Sequence, residues 1–483
     1  TIRLLEGEPG EHGPHSMKLS PDGQSIVLAA GNHVDVPEMD HYRLPRVWRE
    51  DNLFPLIKDP RGHANNREAP GGWIAKIDPE GKNWELIAAG FRNEFDIAYN
   101  EVGDLFTYDS DMEWDFGMPW YRPTRILHVT SGAEFGWRTG NSKWSPEFPD
   151  NLPAVLNIGQ GSPTNVMFGT EAKFPAQYRK ALLAFDWSFG IIYAIHLIPS
   201  GASYEATAEE FISGSPLPLT DGTIGPDGAM YFATGGRRLE SDLYRVYYKG
   251  EPEAAEPMEV ADLPEAAKIR RDLEKYHSKN ASSEGLDLAW ANLAHADRFV
   301  QYAARLVLEH QPIELWKSKA LNESDPVKKT QAVLALARQG KDTDAVPMLR
   351  SLMEIDYASL SEKAKGDLLR TFEVILYRYD QAATPIKADL VAYLNPNFPA
   401  KDNLLNRSLA VLLTHLDAPD AVEKTLALLK NAKDDENYQK TVTSSSELIF
   451  RNPQYGLDIA NMLANVPPAQ QTYFATVLGG ANS

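Results

Sequence analysis

The sequence contains no cysteine. That absence excludes disulfides, thiolate zinc sites, a cysteine nucleophile, iron–sulfur clusters and the CxxCH attachment of a c-type haem, so any metal must be held by oxygen or imidazole. Basic charge is in deficit: 48 Lys plus Arg face 67 Asp plus Glu, for a formal net charge of -19 and a pI near 5.1. Such a field repels phosphate backbones and argues against nucleic acid as a partner. No run approaches the roughly 18 apolar residues of a membrane span, and the opening TIRLLEGE has neither a basic nor an apolar segment. The chain as read therefore carries no span and no export signal. A serine nucleophile elbow, a P-loop and a Rossmann fingerprint are also missing, which leaves hydride transfer to a nicotinamide unsupported.

What is present is a chain of 483 residues, 43% hydrophobic and 24% charged, the composition of two or three globular domains. Of its 33 Gly, 27 precede residue 251, as do 8 of its 10 Trp. This break divides a β half from an α half. Before it, short apolar runs end in turn chemistry: Ser20-Pro-Asp-Gly23, Asp78-Pro-Glu-Gly81 and Gly225-Pro-Asp-Gly228. One phrase recurs at 15–29, 93–108 and 219–234, with a longer-turn variant at 164–187: an apolar pair, a turn with Gly, then an aliphatic and aromatic strand. Repetition of this kind is what β-propeller blades leave in a sequence, and it predicts about four blades in residues 1–250. Four is low for a closed ring, which leads to the expectation that earlier blades are absent from this chain or supplied by another.

From about Pro264 the apolar spacing becomes i, i+3, i+4, i+7, as in 295–309 and 325–337. Asp325-Pro326 is an N-cap followed by Pro at the first helical position, and Gly340 stands where a C-cap is expected. Helix pairs continuing through 404–416 and 421–429 predict a HEAT-like α-solenoid over 264–483, joined by a Pro- and Glu-rich linker at 251–263.

Three constellations could carry chemistry. Asp109, Asp111, Glu113 and Asp115 are four carboxylates at spacing two, which on an extended segment share one face and suit a hard cation such as Ca²⁺. An EF-hand is excluded, because Trp114 and Trp120 fall where that loop needs Gly and Glu; a solvated acidic edge is the alternative. Arg92-Asn93 offers a fixed fork of donors beside a neutral amide, fit for an oxyanion or equally for a structural salt bridge. Histidines cluster early, at His12, His15, His33, His41 and His63. His15 opens a blade strand and could point into a central channel as a base. His12 and His15 could instead share a metal through their i, i+3 spacing, although most such histidines are simply hydrogen-bonded.

Taken in order, His12-Gly-Pro-His15…Ser20-Pro-Asp-Gly23, Gly90-Phe-Arg92-Asn93…Asp96-Ile-Ala and Ser131-Gly-Ala-Glu-Phe-Gly-Trp137 resemble the soluble quinoprotein glucose and sorbosone dehydrogenases. Phe106–Asp109 through Trp120–Arg125, Asp221–Gly228 and Leu243–Tyr247 look still more like a bacterial group of membrane-bound dehydrogenases, in which such a propeller is fused to HEAT-like repeats and commonly to a cytochrome c domain. The resemblance implies a six-bladed propeller holding pyrroloquinoline quinone (PQQ) and Ca²⁺, with His15 as base, Arg92 and Asn93 on cofactor and substrate, and Asp109, Asp111, Glu113 and Asp115 as candidate metal ligands. It further implies a periplasmic or extracellular oxidoreductase acting on a sugar or polyol. The chain departs from that pattern in two places. The acidic loop stands where the soluble enzymes have a His-Gly-Pro turn, and no covalent haem can be held, so the acceptor would be a separate cytochrome c or a missing C-terminal segment. The rival reading is a non-catalytic, calcium-binding propeller and HEAT scaffold that binds glycans or proteins.

Overall fold

Tight turns organise the first half of the chain. At Ser20–Gly23 the amide of Gly23 donates to the carbonyl of Ser20 at 2.8 Å, and the hydroxyl of Ser20 accepts from the Ser25 amide at 3.0 Å, closing a hairpin whose last turn residue has φ +65. Gly228, φ +78, closes the equivalent turn near the end of this half. Only glycine takes that conformation without a Cβ penalty, which is why Pro-Asp-Gly recurs as punctuation.

The computed structural model describes residues 11–251, 259–278, 282–434, 451–452, 457 and 468–481. Most of the linker expected at 251–263 lies outside them. The first sheet contains β1 (Pro14–Leu19), β2 (Ile26–Ala30), β3 (His41–Tyr42), β4 (Gly72–Ile77) and β5 (Trp84–Phe91), ordered β1-β2-β4-β5-β3. The second contains β6 (Ile97–Tyr99), β7 (Leu105–Asp109), β10 (Thr124–Val129) and β11 (Leu156–Gly159). Between β7 and β10 runs a separate hairpin of β8 (Met112–Asp115) and β9 (Met118–Arg122). The third sheet is β12 (Pro163–Phe168), β13 (Leu182–Asp186), β14 (Ile191–Ser200) and β15 (Ser203–Ser213), and the fourth is β16 (Leu219–Ile224), β17 (Met230–Thr234) and β18 (Leu243–Val246).

Apart from the short parallel β3, each of these four sheets is an antiparallel meander. Their leading strands touch in chain order, β1 on β6, β6 on β12 and β12 on β16. Four blade-like sheets are thus arranged side by side along their first strands, matching the four recurrences of the sequence phrase.

Polar side chains tie those leading strands together. Ser16 on β1 donates to Asp96, which also accepts from the Asn165 amide at 2.9 Å, and the same amide donates to Asp221 at 2.7 Å. Asp96 and Asn165 are buried, so each bond replaces hydration that neither could otherwise recover.

The second half is helical. After α1 (Ala176–Lys180) in the third sheet come α2 (Glu265–Glu274), α3 (Ser283–Asn292), α4 (Arg298–His310), α5 (Lys317–Leu321), α6 (Pro326–Gln339), α7 (Ala345–Met353), α8 (Glu362–Ala383), α9 (Lys387–Leu394), α10 (Asn403–His415), α11 (Ala421–Asn431) and α12 (Ala469–Gly479). Asp325 caps α6 as the sequence implies, accepting from the amides of Val327 and Lys328 at 2.9 and 3.0 Å. Helices α4, α6, α8 and α10 form one row, and α3, α5, α7, α9 and α11 pack against it, giving a two-layered stack.

The stack is bonded to the sheets. Tyr302 and Leu306 of α4 enter the core formed by Val129, Ala133 and Phe135, and the Tyr302 hydroxyl donates to the Gly132 carbonyl at 2.8 Å. Arg370 of α8 grips Asp150 through two bonds of 3.0 and 2.8 Å, and Arg378 grips Asp51 at 2.7 and 2.6 Å. Both acids are fully buried. Burial would raise the Asp150 carboxyl, but Arg370, then Arg338 and Arg305, outweigh it and hold the group well below the usual carboxylate range.

Candidate functional site

The site begins where β5 hands over to β6. Asp109, at the end of β7 and fully buried, accepts from the backbone amides of Arg92 at 3.1 Å and Asn93 at 2.9 Å, from its own neighbour Ser110 at 3.0 Å, and from the Arg125 guanidinium at 2.9 Å. One carboxylate therefore shapes the Arg92-Asn93 turn. The Asn93 carbonyl oxygen then accepts from Nε2 of His15 at 2.8 Å, and the imidazole stacks on Phe95 with ring centroids 4.2 Å apart. Because an amide oxygen can only accept, Nε2 carries the proton and Nδ1 is the basic nitrogen of the neutral ring. Burial lowers the His15 pKa below its ordinary 6.5, with the Asn93 bond opposing, so the ring is neutral at neutral pH.

Arg92 points the other way. Its guanidinium donates to the Ser110 hydroxyl at 3.1 Å and lies at longer range from Asp111, 3.9 Å, and Glu113, 3.6 Å. Asp111 is buried, and burial followed by the Glu113 charge pushes its carboxyl up to about 7 against the opposing pull of Arg92. Glu113 also approaches Arg61 at 3.8 Å. Lys143 lies buried nearby, its ammonium donating to the Trp114 carbonyl at 2.7 Å and its pKa lowered to about 8, chiefly by burial. The cleft among Arg61, His63, Arg92, Glu113, Trp114 and Lys143 has about 20 Å³ of free volume, room for one water.

The acidic loop is not a single face. Asp109 is committed to Arg125 and three backbone amides, and Asp115 to Arg122 at 2.6 Å and the Phe116 amide at 3.0 Å. Among the described residues, no three of these carboxylates bring ligand atoms within 4.8 Å of one another. The segment fails to present the four together because β7 ends at Asp109 and a new hairpin starts at Met112, so the alternation is interrupted. The residues present do not fit a four-carboxylate calcium cage. Two guanidiniums face this cleft: Arg61, paired with Asp59 at 3.2 Å, and Arg92, held by Ser110 and lying at longer range from Asp111 and Glu113.

The histidines sort differently from the i, i+3 expectation. His12 leaves His15 to Phe95 and joins His33 and His63 instead, with ring centroids 4.6 Å from His33 and 5.1 Å from His63. Burial is the main cause lowering all three pKa values, with His63 brought to about 4. His33 and His63 stand out in the sequence only by abundance, because each comes from a different loop and no spacing rule connects them. Glu94 carries no sequence signal at all: it is fully buried next to Asp109, neither carboxylate oxygen has a hydrogen-bond partner, and burial then Asp109 raise its pKa well above the usual value.

No protein-family model and no curated protein sequence matches the chain. Among solved structures, an oxidoreductase described as a glucose dehydrogenase from Thermus thermophilus is 18% identical, with a TM-score of 0.34, over 50% of this chain and 68% of its own. The PQQ-bound aldose sugar dehydrogenase of Streptomyces coelicolor is 14% identical, with a TM-score of 0.33, over 49% of this chain and 62% of its own. A further glucose dehydrogenase is 15% identical, with a TM-score of 0.33, over 50% of this chain and 84% of its own. Among the described residues, no helix is long and apolar enough to cross a membrane.

Proposed function

We propose that the chain is a quinoprotein-type oxidoreductase that oxidises a hydroxyl carbon of a sugar or polyol. The observation that carries this reading is the 2.8 Å bond from His15 Nε2 to Asn93, which fixes a neutral imidazole against the Arg92-Asn93 turn. Nδ1 of His15 takes the hydroxyl proton as the carbinol carbon is oxidised. Arg92, with its backbone anchored by Asp109 and its side chain held by Ser110, is the candidate to stabilise negative charge on a bound oxygen, and it would have to turn from Ser110 toward His15 to reach the oxygen that the base deprotonates. Asn93 acts as a positioning residue for the base. PQQ, implied by the sequence resemblance, would supply the hydride acceptor when bound, and the same resemblance makes Arg92 and Asn93 the residues that would contact it. Calcium has no part in these steps. An extracytoplasmic setting and a separate cytochrome c as final acceptor rest on the same resemblance.

The test is an absorbance titration of the purified chain with PQQ, with and without Ca²⁺, followed by a sugar and polyol screen with an artificial dye acceptor. Saturable binding that Arg92→Ala weakens, and turnover that His15→Gln cuts at least about 100-fold without loss of binding, are the expected results. A folded chain that neither binds PQQ nor reduces dye would overturn the reading in favour of a binding scaffold.

A further inference from the structure

We infer that His12, His33 and His63 form a three-imidazole site for a divalent transition metal of the zinc or copper type. The three come from separate elements: the turn before β1, the turn after β2, and the long segment between β3 and β4. One ring nitrogen of each lies within 4.8 Å of the other two. Among the described residues this is the single such cluster, and it is made of imidazole, the ligand that borderline metals prefer over Mg²⁺ and Ca²⁺. In a tetrahedral site with metal–nitrogen bonds of about 2.0–2.1 Å the nitrogens stand about 3.3 Å apart, so binding would draw the three nitrogens up to about 1.5 Å nearer one another.

One further observation points to a ligand. Nε2 of His63 is buried and has no hydrogen-bond partner. His12, itself buried, is held at Nδ1 by the Asn32 amide at 2.6 Å, so Nε2 is the nitrogen left to meet a metal once it has lost its proton. That amide also lies 3.1 Å from the Arg92 carbonyl and 3.1 Å from the Trp137 indole nitrogen, and with its NH₂ toward His12 it satisfies all three neighbours. Metal at Nε2 would move the His12 ring proton to Nδ1 and require the Asn32 carbonyl to turn toward it, at the cost of the amide's bonds to the Arg92 carbonyl and the Trp137 indole. Arg92 opposes a cation here, as does Arg67 at His33, while the charges of Glu11 and Asp59 act on His63 in the favourable direction. Three protein ligands leave a coordination position open for water or a substrate oxygen. The site stands independently of the dehydrogenase reading.

The experiment uses the full chain stripped with a chelator and titrated with Co²⁺, whose visible ligand-field bands report geometry, then with Zn²⁺ and Ca²⁺ as competitors. One equivalent of Co²⁺ with four-coordinate intensity, displaced by Zn²⁺ and not by Ca²⁺, is expected. His63→Ala and His33→Ala should each weaken binding by at least about 100-fold, beyond the 10–100-fold typical of outer-layer losses, and Asn32→Ala by about 10-fold. His33 is half-exposed, so His33→Ala decides the matter if His63→Ala fails to fold. Absence of stoichiometric binding, or an equivalent that survives both histidine substitutions in folded protein, would overturn the assignment.

Discussion

His15 and Asn93, 78 residues apart in sequence, are joined by a 2.8 Å hydrogen bond from the imidazole Nε2 to the amide oxygen. The bond selects the tautomer and so decides that Nδ1 is the nitrogen available to take a proton. It also stabilises the imidazolium, opposing the burial that lowers the His15 pKa.

If this imidazole is the base, His15→Gln should cut turnover at least about 100-fold, the low end of general-base contributions. Activity should fall on the acid side only at a pH below the ordinary histidine value of 6.5, because the neutral ring is the active form and burial depresses its pKa. Asn93→Ala removes the contact that raises this pKa, so its acid limb should move to still lower pH while kcat drops. A pH–rate profile of both variants distinguishes positioning from mere loss of structure; an unmoved limb in Asn93→Ala would contradict the assignment.

Asp111 offers a test of opposite sign. Its folded pKa is raised to about 7 from an ordinary 3.8, by burial first and Glu113 second. The unfolded chain therefore releases this proton first as pH rises, and stability is lost between those values. Asp111→Asn removes that loss: urea melts should find the variant similar to the parent near pH 4 and more stable at pH 8, by on the order of 1–4 kcal/mol.

The contact between Asp150 and Arg370 predicts the behaviour of the sheet–helix interface. Asp150→Ala leaves Arg370 buried without its carboxylate and should cost about 3–5 kcal/mol in chemical denaturation. Because the Asp150 pKa is depressed in the folded state, its contribution is present above the ordinary carboxylate value and declines as pH falls below it. The parent should thus lose stability on acidification where Asp150→Asn does not.

Asp96 joins Ser16, Lys18 and Asn165 across the leading strands of three sheets. Asp96→Ala orphans buried partners and should destabilise by roughly 1–3 kcal/mol for each one left unpaired. Hydrogen exchange should show the loss concentrated in β1, β6 and β12, whereas uniform protection would argue against this linking role.

Much of the architecture was legible in local chemistry. Pro-Asp-Gly turns announced the hairpins around Gly23 and Gly228, and Asp325-Pro326 announced the start of α6, because turns and caps are settled by a few neighbouring residues. His15, Arg92 and Asn93 were legible as candidates by position in the recurring phrase. Their relationship was not: Asn93 was expected on cofactor and substrate, yet it holds the His15 ring.

The acidic segment shows why. Spacing of two puts carboxylates on one face only while the strand continues, and here it stops at Asp109. Asp109 is then drawn to the Arg92 and Asn93 amides and to Arg125, and Asp115 to Arg122, since a buried charge takes whichever donors the surrounding loops bring to it.

The sequence by itself determined the succession of four strand–turn phrases, the change to helical periodicity, and the exclusion of thiol chemistry, because each depends on composition or on contacts within a few residues. Only the tertiary structure decided that His12 meets His33 and His63 while His15 meets Asn93, and that arginines of α8 close on Asp51 and Asp150. Those pairings depend on where long loops bring distant backbone together, and burial then favours whichever complementary group those loops bring nearest.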